Sequence, residues 1–203
     1  MAKKKGKPIV FPVVFMVLVA AVFTGVLATL NAVTIDTIRE QEELKKQTSI
    51  LYVFDQTIPA DADALVAKYN EVISHGSSGD VDYYMATVEG QVTGYAFEFQ
   101  GSGLWGTIWG YVAVTPEFDQ IMGVDFIKHS ETPGLGGRIS EAWYRDQFRG
   151  ISLDDAQQEF IIYKPAAGGN VDAVTGATLT SVSVKNMLDE RLRELLANTK
   201  GAI

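Results

Sequence analysis

The 203-residue chain has no cysteine and only two histidines, His75 and His129. Without thiols it forms no disulfide, ligates no iron–sulfur cluster through thiolate and performs no thiol catalysis. Two histidines are a poor basis for an all-protein zinc or haem centre, so no metal ligand is assigned. No constellation of nucleophile, base and acid is evident either, and no catalytic residue is assigned. Any redox chemistry would have to come from an organic cofactor. Charge is also missing from one long stretch, residues 9–33, which are almost wholly apolar.

That stretch is long enough, as helix, to cross a hydrocarbon core about 30 Å thick. Pro8 and Pro12 stand near its start, where a missing N–H costs little. Lys3, Lys4, Lys5 and Lys7 precede it, and no positive charge follows until Arg39. The positive-inside rule therefore places residues 1–8 in the cytoplasm and everything after the span outside. A cleaved signal peptide is the competing reading. Its apolar core would be about 7–15 residues and end at a small-x-small cleavage site, whereas this run is longer and grades into a polar helix. The expectation is an uncleaved single-pass anchor in a bacterial inner membrane. Removing those four lysines from the overall charge of −8 leaves −12 for the rest, a balance that repels nucleic acid.

Beyond the span, residues 36–54 read as a helix, charged in its first half and apolar in its second, and Pro59 ends it. A short helix is expected from Asp61 through Ile73, then a loop at His75-Gly76-Ser77-Ser78-Gly79-Asp80. From Val81 the pattern changes. Residues 83–88, 91–100, 107–115 and 120–128 are rich in Val, Ile, Tyr, Phe and Thr, with short glycine-containing turns between them, which favours antiparallel strands. A helix near 140–148 and a strand at 159–163 follow. In the last segment Val184, Met187, Leu188, Leu192, Leu195 and Leu196 have the spacing of one buried helical face. The fold class is α+β: a twisted, mainly antiparallel sheet with packed helices, preceded by one transmembrane helix. The expected organisation is a basic N-terminus (1–8), a transmembrane helix (9–33), a helical stalk and connecting helix (34–80) and a cofactor-binding domain (81–203).

Asp172-Ala173-Val174-Thr175-Gly176-Ala177-Thr178 runs directly into that last helix. A helix N-terminus, with unpaired N–H groups and the positive dipole end, favours a phosphate. Gly176 and Ala177 keep bulk away, and Thr178 offers a hydroxyl. Thr175, Thr178 and Thr180 could also simply cap the helix with no ligand. The segment resembles the flavinylation motif D-x-x-[ST]-G-A-T of the FMN-binding subunits of sodium-pumping NADH:quinone reductases and their Rnf relatives. The resemblance implies FMN bound covalently through its phosphate to Thr178, with Asp172, Thr175, Gly176, Ala177, Leu179 and Thr180 around it.

Two other segments support the likeness. Glu131-Thr132-Pro133-Gly134-Leu135-Gly136 is shared with both families, where such a loop lies against the isoalloxazine ring. Pro133 fixes one backbone angle, and the glycines allow close approach of a flat ligand. Leu135 can stack on a ring face, while Glu131 and Thr132 offer polar contacts. A rigid ligand-free turn, or a general-base role for Glu131, are the alternatives. Gly101-Ser102-Gly103-Leu104-Trp105-Gly106 matches the dinucleotide-binding G-x-G-x-x-G, but strand-like residues follow where that fingerprint needs a helix. It resembles instead the G-x-G-L-W turn of the sodium-pump FMN proteins. Trp105 is then either a core residue or a wall of the flavin pocket. His129 could shuttle protons or line the loop, and Lys185 could balance a phosphate or lie exposed.

The resemblance implies an electron-transfer subunit passing electrons that originate in NADH towards ubiquinone, coupled to sodium translocation. Its partners would be membrane subunits with iron–sulfur and flavin groups, and a flavin transferase would mature it. No NADH or sodium site is identifiable in the chain. The G subunit of an Rnf-type complex, a membrane-anchored FMN sensor or regulator, and a flavin-free structural protein are the alternatives.

Overall fold

The structure, a computed structural model, describes residues 10–79, 81–154, 156–157 and 159–198. The N-terminal lysines, Ile9, Pro8 and Asp80 lie outside these residues. The chain divides into two compact units, one up to Glu43 and one from Leu44 onward. The described residues of the first unit belong to helix α1 (Val10–Val53). Its apolar side chains, such as Phe11, Val17, Phe23 and Leu27, are exposed. Among the described residues this is one helix long and apolar enough to cross a membrane.

In the second unit a five-stranded antiparallel meander runs in order β1 (Ile73–Ser78), β2 (Val81–Val88), β3 (Gln91–Ser102), β4 (Thr107–Val114) and β5 (Ile121–Lys128). Alternation along the strands gives the sheet two apolar faces. On one face Phe97, Phe99, Ile108, Val112, Val124 and Phe126 pack with Tyr144, Phe148, Ile161 and the inner side of α4 (Thr178–Asn198). On the other, Ala86, Ala96, Tyr111 and Ala113 pack with Ile50, Leu51, Val53 and Phe54 at the end of α1 and with Leu65 and Val72 of α2 (Ala62–Val72). Asp61 caps α2 by accepting the Ala64 N–H at 3.0 Å. The expected α+β architecture is therefore the one observed.

Three elements differ from the sequence reading, each for a backbone reason. Residues 73–78 form an edge strand rather than a loop, paired with β2 from Ile73↔Ala86 to Ser78↔Val81. Its low apolar content reflects its edge position, and Gly76 is required because a Cβ there would lie 2.5 Å from the Tyr83 ring. The expected helix near 140–148 is broken into a 3-10 turn at Gly136–Ser140, the single-turn α3 (Ala142–Arg145) and a second 3-10 turn at Asp146–Phe148. The segment at 159–163 makes no strand beyond one bridge, Tyr163↔Val171. Its amides bond side chains instead of a neighbouring strand: Phe160 and Ile161 N–H donate to Asp189 Oδ1, and Ile162 N–H donates to Asn170 Oδ1.

The end of α1 is fastened by arginines. Arg149 donates to the Tyr52 carbonyl (2.7 Å) and the Met122 carbonyl (2.6 Å), so it caps the helix C-terminus and ties it to β5. Arg145 and Arg149 flank the Tyr52 ring at 4.1 and 4.8 Å, and Arg145 pairs with buried Asp125. Close approach also constrains β4: a Cβ on Gly110 would be driven into the Asp125 carbonyl oxygen and lie 2.5 Å from the Phe99 ring. Gly110→Ala should therefore cost about 3 kcal/mol by overpacking. A thermal melt of the whole chain in detergent should show the midpoint falling by about 6–12 °C.

Candidate functional site

Three loops meet at one buried carboxylate. The first is the four-residue turn between β3 and β4, closed by Gly103 N–H donating to the Gly106 carbonyl at 2.8 Å. A hairpin turn, with a strand after it, is incompatible with a dinucleotide fingerprint. The second is the loop after β5, where Leu135 and Gly137 N–H both donate to the Thr132 carbonyl and Gly134 has φ +73°. The third is the Val174–Gly176 turn leading into α4, closed by Ala177 N–H on the Val174 carbonyl, with Gly176 at φ +78°.

Glu131 joins them. It is 5% exposed, and Oε1 accepts the N–H groups of Leu104 (2.8 Å) and Trp105 (3.1 Å). Its Oε2 accepts the Thr180 hydroxyl at 2.6 Å. The fit leaves no spare volume. A Cβ on Gly103 would lie 2.5 Å from Oε1, and one on Gly136 would lie 2.6 Å from Thr180 Oγ1 and 2.7 Å from Oε2. Leu135 closes the gap to the third loop, its Cδ2 3.2 Å from where a Gly176 Cβ would be. Glu131, expected from the sequence to offer a polar contact to a ligand ring, has both carboxylate oxygens engaged by protein groups.

The same packing decides which residues face outward. Thr178, Leu179, Thr175, Gly176, Asp172, Thr132 and Leu135 are exposed, while Ala177, Thr180 and Gly136 are buried. Trp105 is 68% exposed, with Leu104 beside it, so it is not a core residue in this structure. Leu104, Trp105, Leu135 and Leu179 are thus exposed apolar side chains on the elements that meet at Glu131, and Thr178 is exposed at the start of α4. As at any helix start, the first-turn N–H groups of α4 have no carbonyl within the helix to bond, and Ser181 N–H makes the first such bond, to Ala177. A flat aromatic group carrying a phosphate fits this combination. Asp172 is held by backbone bonds to Gln147 (2.7 and 3.4 Å), and its carboxylate pairs with Lys164 at 3.0 Å.

His129 and Lys185 have structural duties. Glu131 N–H donates to His129 Nδ1 (3.3 Å), which leaves the Nε2 proton for Ser140 Oγ at 2.9 Å. Burial lowers the His129 pKa, Glu131 opposes that shift and Lys45 adds to it. Lys185 is not exposed: it bonds Glu159 and Asp189, both at 2.9 Å, on a face of α4 away from the first turn. Asp189 was not singled out in the sequence, although its i, i+4 pairing with Lys185 beside buried Leu188 was there to be read. Tyr163, which donates to the Ser181 carbonyl at 2.8 Å and bonds the buried Tyr144 hydroxyl at 2.6 Å, further immobilises the start of α4.

Known proteins carry the same architecture. Residues 103–193 match the model of the FMN-binding domain. The G subunit of the ion-translocating oxidoreductase complex of Methanosarcina acetivorans is 30% identical over 173 residues, covering 85% of this chain and 89% of its own length. The chain belongs to this family of FMN-binding subunits. The same family includes the C subunit of the Na(+)-translocating NADH-quinone reductase of Pasteurella multocida, 33% identical over 134 residues, covering 63% of this chain and 52% of that one. The chain spans about half the length of the Na(+)-translocating reductase relatives it matches. The crystal structure of the corresponding C subunit from Parabacteroides distasonis superposes with a TM-score of 0.68 at 28% identity, covering 79% of this chain and 94% of that one. As a member of this family the chain carries an FMN-binding domain, and the three loops gathered by Glu131 all lie within or at the edge of it.

Two outcomes follow from the carboxylate. Glu131→Ala leaves two amides and a hydroxyl buried without acceptors and should destabilise the fold by about 3–5 kcal/mol, read by chemical denaturation; Glu131→Gln, which keeps an acceptor for the amides, should cost much less. The histidine adds a pH dependence. Folding holds the imidazole less basic than in the unfolded chain, so its contribution is complete above the ordinary value of about 6.5 and is lost as pH falls through the lower folded value. Melting temperatures between pH 7.5 and 5 should fall more steeply for wild type than for His129→Gln.

Proposed function

We propose that this chain carries one FMN, esterified through its phosphate to Thr178, and relays electrons as a subunit of a membrane oxidoreductase complex. The observation that carries this reading is the partition of the motif's hydroxyls. Thr178 is exposed on the first turn of α4, which meets the loops bearing the exposed Leu104, Trp105 and Leu135 at Glu131, whereas Thr180 is committed to Glu131. The cofactor, when bound, supplies the electron chemistry. The chain's own residues fix the phosphate end at the helix start, present Trp105 and Leu135 to the ring and exclude water from the carboxylate below. Thr175, Gly176, Ala177 and Asp172 shape the turn, and Thr132 and Gly136 shape the facing loop. A tether of this kind requires a separate flavin transferase.

In this reading α1 anchors the chain in the membrane. The N-terminal lysines and the lack of positive charge up to Arg39 favour a cytoplasmic N-terminus, with the FMN domain on the far side. Electrons would arrive from an iron–sulfur carrier in a neighbouring subunit and leave towards another flavin and quinone, with NADH as the ultimate donor and sodium translocation as the coupled process. One observation favours a second assignment within the family. Matches to the G subunits run nearly end to end, 99% of this chain and all of the Clostridium ljungdahlii protein at 27% identity, whereas the C subunits are about twice as long as the matched part. An ion-translocating ferredoxin-linked complex is therefore the alternative setting for the same flavin.

Expression of the chain with a flavin transferase tests the attachment. A denaturing gel under ultraviolet light should show a fluorescent wild-type band and a fluorescent Thr175→Ala band. Thr178→Ala should be dark. A glowing Thr178→Ala band would move the acceptor elsewhere.

A further inference from the structure

Glu131 does more than join loops. Both of its oxygens are engaged, Oε1 accepting two backbone N–H groups and Oε2 lying 2.6 Å from the Thr180 hydroxyl. Among the described residues no arginine or lysine forms an ion pair with it; its oxygens meet two backbone N–H groups and one hydroxyl, and the His129 imidazole is the neighbouring titratable group. Ionised, it would be a negative charge, 5% exposed, where the three loops meet. Solvent screens such a charge weakly, so its field acts on whatever occupies the surface above it. That surface begins close by on either side, since Leu104 and Trp105 donate their own amides to it and Thr178 lies two residues before Thr180.

We propose that the buried Glu131 carboxylate lowers the reduction potential of the flavin held over Leu104, Trp105 and Leu135. The inference rests on the FMN reading above. Reduction brings two electrons to the flavin, and where one proton accompanies them the ring system gains one negative charge. A carboxylate fixed beneath it disfavours that gain. The electrons come from a low-potential one-electron carrier in the complex, or from dithionite in a titration. The Thr180 hydroxyl moderates the effect, because its positive end points at Oε2 and offsets part of the carboxylate's field. Gly103 and Gly136 are part of the same device: they have no room for a Cβ, so no side chain can separate the carboxylate from the loops it supports.

Two substitutions separate electrostatics from a general loosening. Glu131→Gln removes the charge but keeps an amide oxygen for the Leu104 and Trp105 N–H groups and an NH2 for Thr180 Oγ1. Thr180→Val removes the hydroxyl and keeps the charge. Both are purified as full chains in detergent, their folding is checked by melting without flavin, and the bound FMN is titrated spectroscopically with dithionite and redox mediators. The midpoint potential should shift upward in Glu131→Gln and downward in Thr180→Val. Potentials unchanged in both, or shifted the same way in both, would overturn the role. If Glu131→Gln fails to fold, the sign for Thr180→Val decides alone. Wild-type protein that never acquires FMN would overturn the underlying flavin reading instead, and this inference with it.

Discussion

A carboxylate removed from water must be given donors, or its burial costs several kcal/mol. Glu131 meets that requirement by drawing donors from the β3–β4 turn and from the first turn of α4 while standing on the loop after β5. The sheet brings the β3–β4 turn and the post-β5 loop to the same end, because β3, β4 and β5 are consecutive neighbours. The start of α4 reaches the same place by packing along the sheet face lined by Phe97, Phe99 and Val112. None of these loops has a regular partner of its own. Their mutual position is set by three hydrogen bonds to one residue, and the close contacts at Gly103 and Gly136 prevent the arrangement from relaxing.

The rest of the fold makes that arrangement rigid from behind. Ser181 accepts the Val174 N–H and donates to the Ala177 carbonyl, which pins the turn to the helix it opens. Tyr163 holds the Ser181 carbonyl, and Asp189, two turns further along, holds the amides of Phe160 and Ile161. The irregular segment between α3 and α4 is thus anchored by side chains in place of a sheet ladder. On the opposite face the apolar end of α1 closes the second core, with Arg149 bonding the Tyr52 carbonyl at the end of the helix. One helix therefore carries both the membrane-length apolar segment and half of a domain core, which explains why its composition changes from apolar to charged to apolar along its length.

Much of this was legible in the sequence, because it depends on local chemistry. Alternating β-branched and aromatic residues with short turns placed β2, β3, β4 and β5 to within two residues, and the three-and-four spacing from Val184 placed α4. The D-x-x-T-G-A-T and E-T-P-G-L-G strings mark two of the three segments that meet at Glu131. What was not legible depended on partners far away in sequence. The edge strand at 73–78 has no apolar alternation and exists because β2 accepts it. The strand expected at 159–163 was lost because Asp189, nearly thirty residues later, takes its amides. Trp105 has the composition of a core residue, and its exposure follows from the orientation of a turn whose amides point inward to Glu131. The carboxylate itself looked like a ligand contact, since nothing in the local string reveals that Thr180 faces it across 49 residues.

The motif's threonines show how one helix start divides its work. A hydroxyl at the third helical position points back along the axis, and at Thr180 that direction leads into the protein, to Glu131. A hydroxyl at the first position lies a little over half a turn away around the helix, and at Thr178 that side faces out. The neighbouring buried residues obey the same geometry, since Ala177, Ser181 and Val184 share the inward face and Leu179 and Val182 share the outward one. Thr175 stands ahead of the helix, separated from its first turn by Gly176 and held apart by the left-handed backbone there. The alanine in the motif is therefore a packing requirement, the second threonine of the run after it is a lock, and only Thr178 combines exposure with a place at the positive end of the helix. A motif that reads as one continuous signature is, in three dimensions, divided between buried residues that pack the helix start, Val174, Ala177 and Thr180, and exposed ones such as Thr175, Gly176 and Thr178.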